Sequence, residues 1–153
     1  MATYNVYKIQ YTISMADPDM PQPRYHNVIF VQTETGANAK GQIHHVTGDI
    51  TSGMSYAVKE GKQPESSATF FSRESLGTVK VADYPHEMNK VLAAQPPPPK
   101  QKHFNRKTMR TEQMKPDGTF YEPGEERPPM IKCTEWTVNQ AIPALYASGV
   151  LKK

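Results

Sequence analysis

Loose alternation of apolar side chains at Val6, Ile9, Tyr11 and Ile13 predicts a strand within Tyr4 to Met15, closed by a proline-rich turn over Ala16 to Pro23. The next run, His26 to Thr33 (HNVIFVQT), is too apolar for a strand with one face in water, and predicts a central strand covered on both sides. A turn at Thr35 to Gly41 leads into Gln42 to Gly48 (QIHHVTG), its predicted hairpin partner. Met54 to Lys59 alternates again, and Thr69 to Val81 holds a further strand with Leu76 to Val81 as its best part. The period then changes. Met88, Val91 and Leu92 fall at i, i+3 and i+4, so Asp83 to Leu92 predicts a short helix with Asp83 as its N-cap. A last helix follows Ile131, with Val138, Ala141, Ile142 and Leu145 on one face and Gly149 as C-cap. Pro143 interrupts it and predicts a kink, or two short helices joined there.

Between the two helices the chain changes character. Pro96 to Pro99 admits neither helix nor inner strand, and from there to Pro129 the residues are mostly Pro, Gly, Thr and charge. Residues 96–129 are therefore predicted to be irregular, a surface loop or lid within a single domain over residues 1–153. The 14 prolines and a hydrophobic content of only 37% support that division. Charge is uneven as well. Lys100, Lys102, Arg106, Lys107, Arg110 and Lys115 stand against Glu112 alone between residues 96 and 115, a local +5 in a chain of net +3. That stretch has one aromatic residue, Phe104, beside His103, and lacks the interleaved rings of a nucleic-acid groove. It reads as a solvated loop, and nucleic acid is not the expected partner.

A single cysteine excludes an internal disulfide framework and suits a reducing compartment. No apolar run follows Met1, and Val28 to Val31 is far below the length of about 18 residues that spans a bilayer. A soluble, intracellular, cytoplasmic protein is the expectation. The cysteine itself, Cys133, sits in the first turn of the last helix, where unpaired N–H groups and the macrodipole favour an anion. Read alone it is either a nucleophile or a small buried hydrophobe.

Acyl chemistry at a thiol needs an imidazole in reach and a polar group to orient the ring. His26 opens the central strand, and His44 and His45 lie on its hairpin partner; alternation sends these two to opposite faces, so only one can join a site. Trp136, one turn after Cys133, is either a core anchor or a substrate platform, and with Tyr25 it is the candidate substrate contact. No short metal-ligand spacing accompanies the histidines, so no metal is expected. The glycines Gly36, Gly41 and Gly48 form no phosphate loop, and no cofactor is expected.

Three stretches, Arg24 to Val31 (RYHNVIFV), Ile43 to Asp49 (IHHVTGD) and Cys133 to Trp136 (CTEW), together resemble the circularly permuted papain-like proteins. These are the NlpC/P60 superfamily branch with lecithin retinol acyltransferase, and fungal proteins of uncharacterised function are similar in the same places. The resemblance implies an α+β fold, an antiparallel sheet packed against helices in a permuted papain-like core. It implies Cys133 as nucleophile, His26 as general base and His45 (or His44) as the polar third member, with His-Val-Thr-Gly favouring His45. Lys132 stands where permuted members often carry asparagine. The expected function is a cysteine hydrolase or acyltransferase acting on an amide, ester or thioester of a small-molecule or peptide acyl substrate. The alternative is a non-catalytic binding domain of the same fold, using the cleft or residues 100–115.

Overall fold

The computed structural model describes residues 2–13, 24–36 and 39–153. The predicted turn over Ala16 to Pro23 lies outside them, as do Ala37 and Asn38 of the turn that follows the second strand. Five strands form one antiparallel sheet: β1 Thr3–Thr12, β2 Tyr25–Gln32, β3 Gly41–Asp49, β4 Gly53–Gly61 and β5 Phe70–Lys80, in the order β4-β3-β2-β1-β5. The most apolar run of the sequence therefore occupies the middle of the sheet. Val28, Ile29, Phe30 and Val31 are all buried, which requires cover on both faces.

Two cores supply that cover. On the first face Val6, Ile29, Val31 and Val46 pack with Met88, Leu92, Trp136 and Leu145 from the helices. On the second face Ile9, Val28, Phe30 and Ile43 pack with Tyr7, Tyr11 and Phe70. Strands β4 and β5 are opposite edges of the sheet, so their connection, residues 62–69, has to cross a face. It crosses the second, carries a short 3₁₀ turn at Pro64–Ser66, and is tied to β5 by Arg73 on Glu65 at 2.9 Å.

Helix α1 spans His86–Ala93, starting later than the sequence predicts. Asp83 is not its N-cap but the end of a 3₁₀ turn, Val81–Asp83, and Pro85 holds that place. The residue before a proline is driven to extended backbone, and Tyr84 at φ −111°, ψ 135° separates the two turns. At the C-terminus α2 (Cys133–Glu135) runs into a π-helical stretch, Trp136–Ala141, and then α3, Ile142–Ser148. The expected kink at Pro143 takes this form: the ring cannot donate to the carbonyl of Asn139, and the widened turns accommodate the missing bond. They also rotate the apolar face. Trp136 and Thr137 turn fully inward, while Val138, predicted for the core, is 38% exposed. Gly149 closes α3 at φ +80°, the left-handed conformation of a C-cap glycine.

The segment 96–129 is less irregular than predicted. It contains a hairpin, β6 Lys102–Asn105 and β7 Arg110–Gln113, with Met109 left-handed in its turn. Backbone bonds fasten the segment to the β3–β4 turn, from Met54 N to Pro98 O and from Gln101 N to Ile50 O. The side chain of Gln101 binds both the N–H and the carbonyl of Ile131, two residues before Cys133. Neither KHFN nor RTEQ carries β-rich composition, so these anchors, remote in sequence, are what hold the strands.

Candidate active site

The site is built where the sheet parts. Strand β2 pairs with β3 from Gln32↔Gly41 as far as Ile29↔His44, and beyond that point β3 continues with β4 while β2 continues with β1. The start of the C-terminal helix fills the gap. Thr134 Oγ1 donates to Tyr25 O at 3.2 Å and accepts from Asn27 Nδ2 at 2.8 Å, and Thr137 Oγ1 donates to Asn27 O. These threonines replace a neighbouring strand as partners of the β2 carbonyls. Cys133 therefore arrives beside β2, 8% exposed, with Sγ 4.0 Å from Tyr25 O.

Charge fixes the helix at this point. Arg24, just ahead of β2, donates two hydrogen bonds to Glu135, at 3.0 and 3.1 Å, and Glu135 Oε1 accepts from the Lys132 backbone N–H at 2.7 Å. Glu135 is the third residue of the helix, the position from which a carboxylate reaches back to the N-cap. Burial alone would raise its pKa, but Arg24 and the Lys132 N–H outweigh it and hold the carboxyl below its usual range. Arg24→Gln is expected to cost about 1–2 kcal/mol, the scale of a charged hydrogen bond on a half-buried pair. A urea midpoint unchanged from that of the wild type would show that the threonine contacts alone seat the helix.

His26 extends from the second face of β2, opposite Tyr11 of β1 in register and stacked near its ring at 6.4 Å. His45, on the same face of β3, meets it edge-on with ring centroids 6.1 Å apart. His26 also lines a cavity of about 400 Å³ together with Cys133, Asp49, Met54, Lys102 and Thr111, walled by the β3–β4 turn and the hairpin. The parting of the strands thus leaves thiol and imidazole on one cavity although they belong to different layers. Burial and, next, the charge of Lys59 lower the His26 pKa; the same causes, then His26 itself, lower that of His45 to about 4. Both rings are neutral near pH 7, the state in which an imidazole can take a proton.

His44 faces the other way, as alternation requires. Tyr56 OH donates to Asn89 Oδ1 at 2.8 Å, so its oxygen accepts from His44 Nδ1 at 2.6 Å, and His44 Nε2 accepts from Tyr84 OH at 2.8 Å. This network, centred on the completely buried His44, joins the sheet to α1 and keeps His44 away from Cys133. Trp136 is also completely buried, against Tyr56 and with Nε1 on Gln95 O, which makes it a core anchor with no surface for a substrate. Tyr25 stacks on Phe71, itself half exposed, at 4.1 Å, and its carbonyl rather than its ring meets the helix.

Tyr56, Tyr84, Asn89, Arg24, Glu135 and Lys59 are participants that sequence reasoning missed. Only Glu135 left a local trace, three residues after Lys132 at a helix start. Among the described residues no group of three or more His, Cys, Asp or Glu side chains is arranged to hold a metal ion, and no helix is long and apolar enough to cross a membrane. Compared with curated proteins and with solved structures, the chain has no match. A family model does match, over residues 11–152, and strands β2 to β5, the parting of β2 from β3 and the C-terminal helix fall inside that span. The chain belongs to DUF6540, a family of unknown function.

Proposed function

We propose that the protein is a cysteine hydrolase or acyltransferase in which Cys133 attacks an acyl carbonyl and His26 manages the proton. The observation that carries this reading is the cavity shared by Cys133 and His26 where β2 and β3 part. In the first step the Sγ–carbon bond forms, the thiol proton passes to His26, and the bond to the leaving group breaks as that group takes the proton. In the second step water or an acceptor gives a proton to His26, attacks the thioester carbon and releases the thiol. The N–H groups of the first turn at Cys133 and Thr134 serve the oxyanion, since the Lys132 N–H is held by Glu135. His45 stands beside His26 as the third ring.

One observation favours the alternative, a non-catalytic binding domain of the same fold. The sulfur of Cys133 is almost buried, and its hydrogen-bond acceptor is the Tyr25 carbonyl rather than an imidazole.

Cys133 is the only cysteine, so alkylation by iodoacetamide followed by intact mass reads this one thiol. Labelling that persists at pH 6 in the wild type and slows at least tenfold in His26→Ala is the expected result. Slow labelling in both proteins, or equal rates, would leave the binding domain as the function.

A further inference from the structure

The second face of the sheet holds another cavity, of about 490 Å³, roofed by the β4–β5 connection and sharing a single wall residue with the one that holds the thiol. His26 lines both. We propose that this second cavity is a binding site for a small amphipathic monocarboxylate, its apolar body on Val28 and Ile43 and its carboxylate on Lys59 and the imidazoles of His26 and His45.

The volume is that of a small-molecule site, and the lining divides as such a ligand requires. Val28 and Ile43 give an apolar floor at the sheet, while Lys59 and the hydroxyls of the connection make a polar rim. His45 is the independent sign. It is only 6% exposed, yet among the described residues its Nδ1 has no hydrogen-bond partner. A buried imidazole left in that state loses its hydration without return, and such groups mark a missing partner.

Charge selects the ligand class. Lys59 lies close enough to depress both imidazoles, and among the described residues no carboxylate pairs with it. Glu65, the acidic residue of the roof, is engaged by Arg73. With the histidines neutral, Lys59 and Lys62 against Glu60 leave the lining one positive charge, which one carboxylate balances. Neutral imidazoles offer one N–H each, suited to a carboxylate oxygen. Binding here goes beyond the thiol chemistry and needs no reaction at Cys133.

The test is an NMR titration of the histidine imidazole resonances at pH 7.5 with hexanoate, hexanol and inorganic phosphate, in the wild type and in Lys59→Gln. Lys59 is exposed on an edge strand, so the variant keeps the fold. Hexanoate is expected to shift His26 and His45 saturably while His44 stays unmoved. Lys59→Gln should weaken that binding at least tenfold, and hexanol and phosphate should each bind more weakly than hexanoate. No saturable shift, an unaltered affinity in Lys59→Gln, or phosphate binding as tightly as hexanoate would overturn the proposal. The titration reads neither the thiol nor turnover, so an unreactive Cys133 would leave it standing.

Discussion

Acidification from pH 7.5 to about 4.5 is expected to remove a large part of the protein's stability, through His44 and His45. Burial first, and then the charge of His45, bring the His44 pKa down to about 4; burial, Lys59 and His26 do the same for His45. In the unfolded chain both titrate near the usual ~6.5. Between those values the unfolded state binds protons that the native state refuses, so stability rises with pH across the window. The contribution is complete above about pH 6.5 and is lost as the pH falls toward 4. A shift of that size is worth about 3 kcal/mol for one ring and roughly twice that for two, against a total of about 5–15 kcal/mol for a single domain. His44 also has a structural reason to resist a second proton: its Nε2 accepts from Tyr84, and protonation would face one donor with another. Glu135 is held below its usual range, so its loss begins lower still and leaves the window to the imidazoles. Urea titrations followed by the fluorescence of Trp136, the only tryptophan, should show the midpoint falling steeply below pH 6.5. His45→Gln should remove about half of that fall. A midpoint independent of pH between 7.5 and 5 would mean that these rings are protonated in the folded protein.

The same residues show what was legible in the sequence. Period-two alternation, one four-residue apolar run and, for the fifth strand, β-rich composition sufficed to place all five strands of the large sheet, and the apolar run named its centre. Alternation also separates His44 from His45 in the sequence itself, because it is a property of the backbone. Helix starts were less legible. Asp83 has the chemistry of a cap, yet Pro85 two residues later dictated the backbone of Tyr84 and moved the start of α1 to His86.

The site was legible as an inventory and not as an arrangement. A histidine, a second histidine and a thiol can be counted along the chain, but the parting of β2 from β3 that sets them on one cavity is a tertiary event. It depends on threonine hydroxyls at 134 and 137 meeting carbonyls more than a hundred residues earlier. Arg24 and Glu135 are similarly remote, and nothing local couples them. The hairpin in the proline-rich segment was illegible for the same reason: Ile50 and Ile131 hold it from outside, through Gln101.

Truncating Trp136 to alanine is expected to cost about 3–5 kcal/mol, the range for removing a large aromatic from a core that cannot close over the gap. The ring is fully buried between the sheet and α1, against Tyr56 of β4, with Nε1 on Gln95 O at the end of α1. The π-helical stretch beginning at Trp136 turns this side chain inward while continuing the helix that Cys133 opens. Loss of the ring therefore removes the pin of the thiol's own helix, which the threonine contacts and the Arg24–Glu135 pair then have to hold unaided. Because the variant lacks the fluorescent probe, unfolding should be followed by far-UV circular dichroism, with Cys133 alkylation at pH 7.5 as a second reading. A midpoint lowered by several kcal/mol with faster alkylation is the expected pair of results, since local opening exposes the buried sulfur. A loss under 1 kcal/mol would mean that the ring is not an anchor, and would return Trp136 to the residues free to meet a substrate.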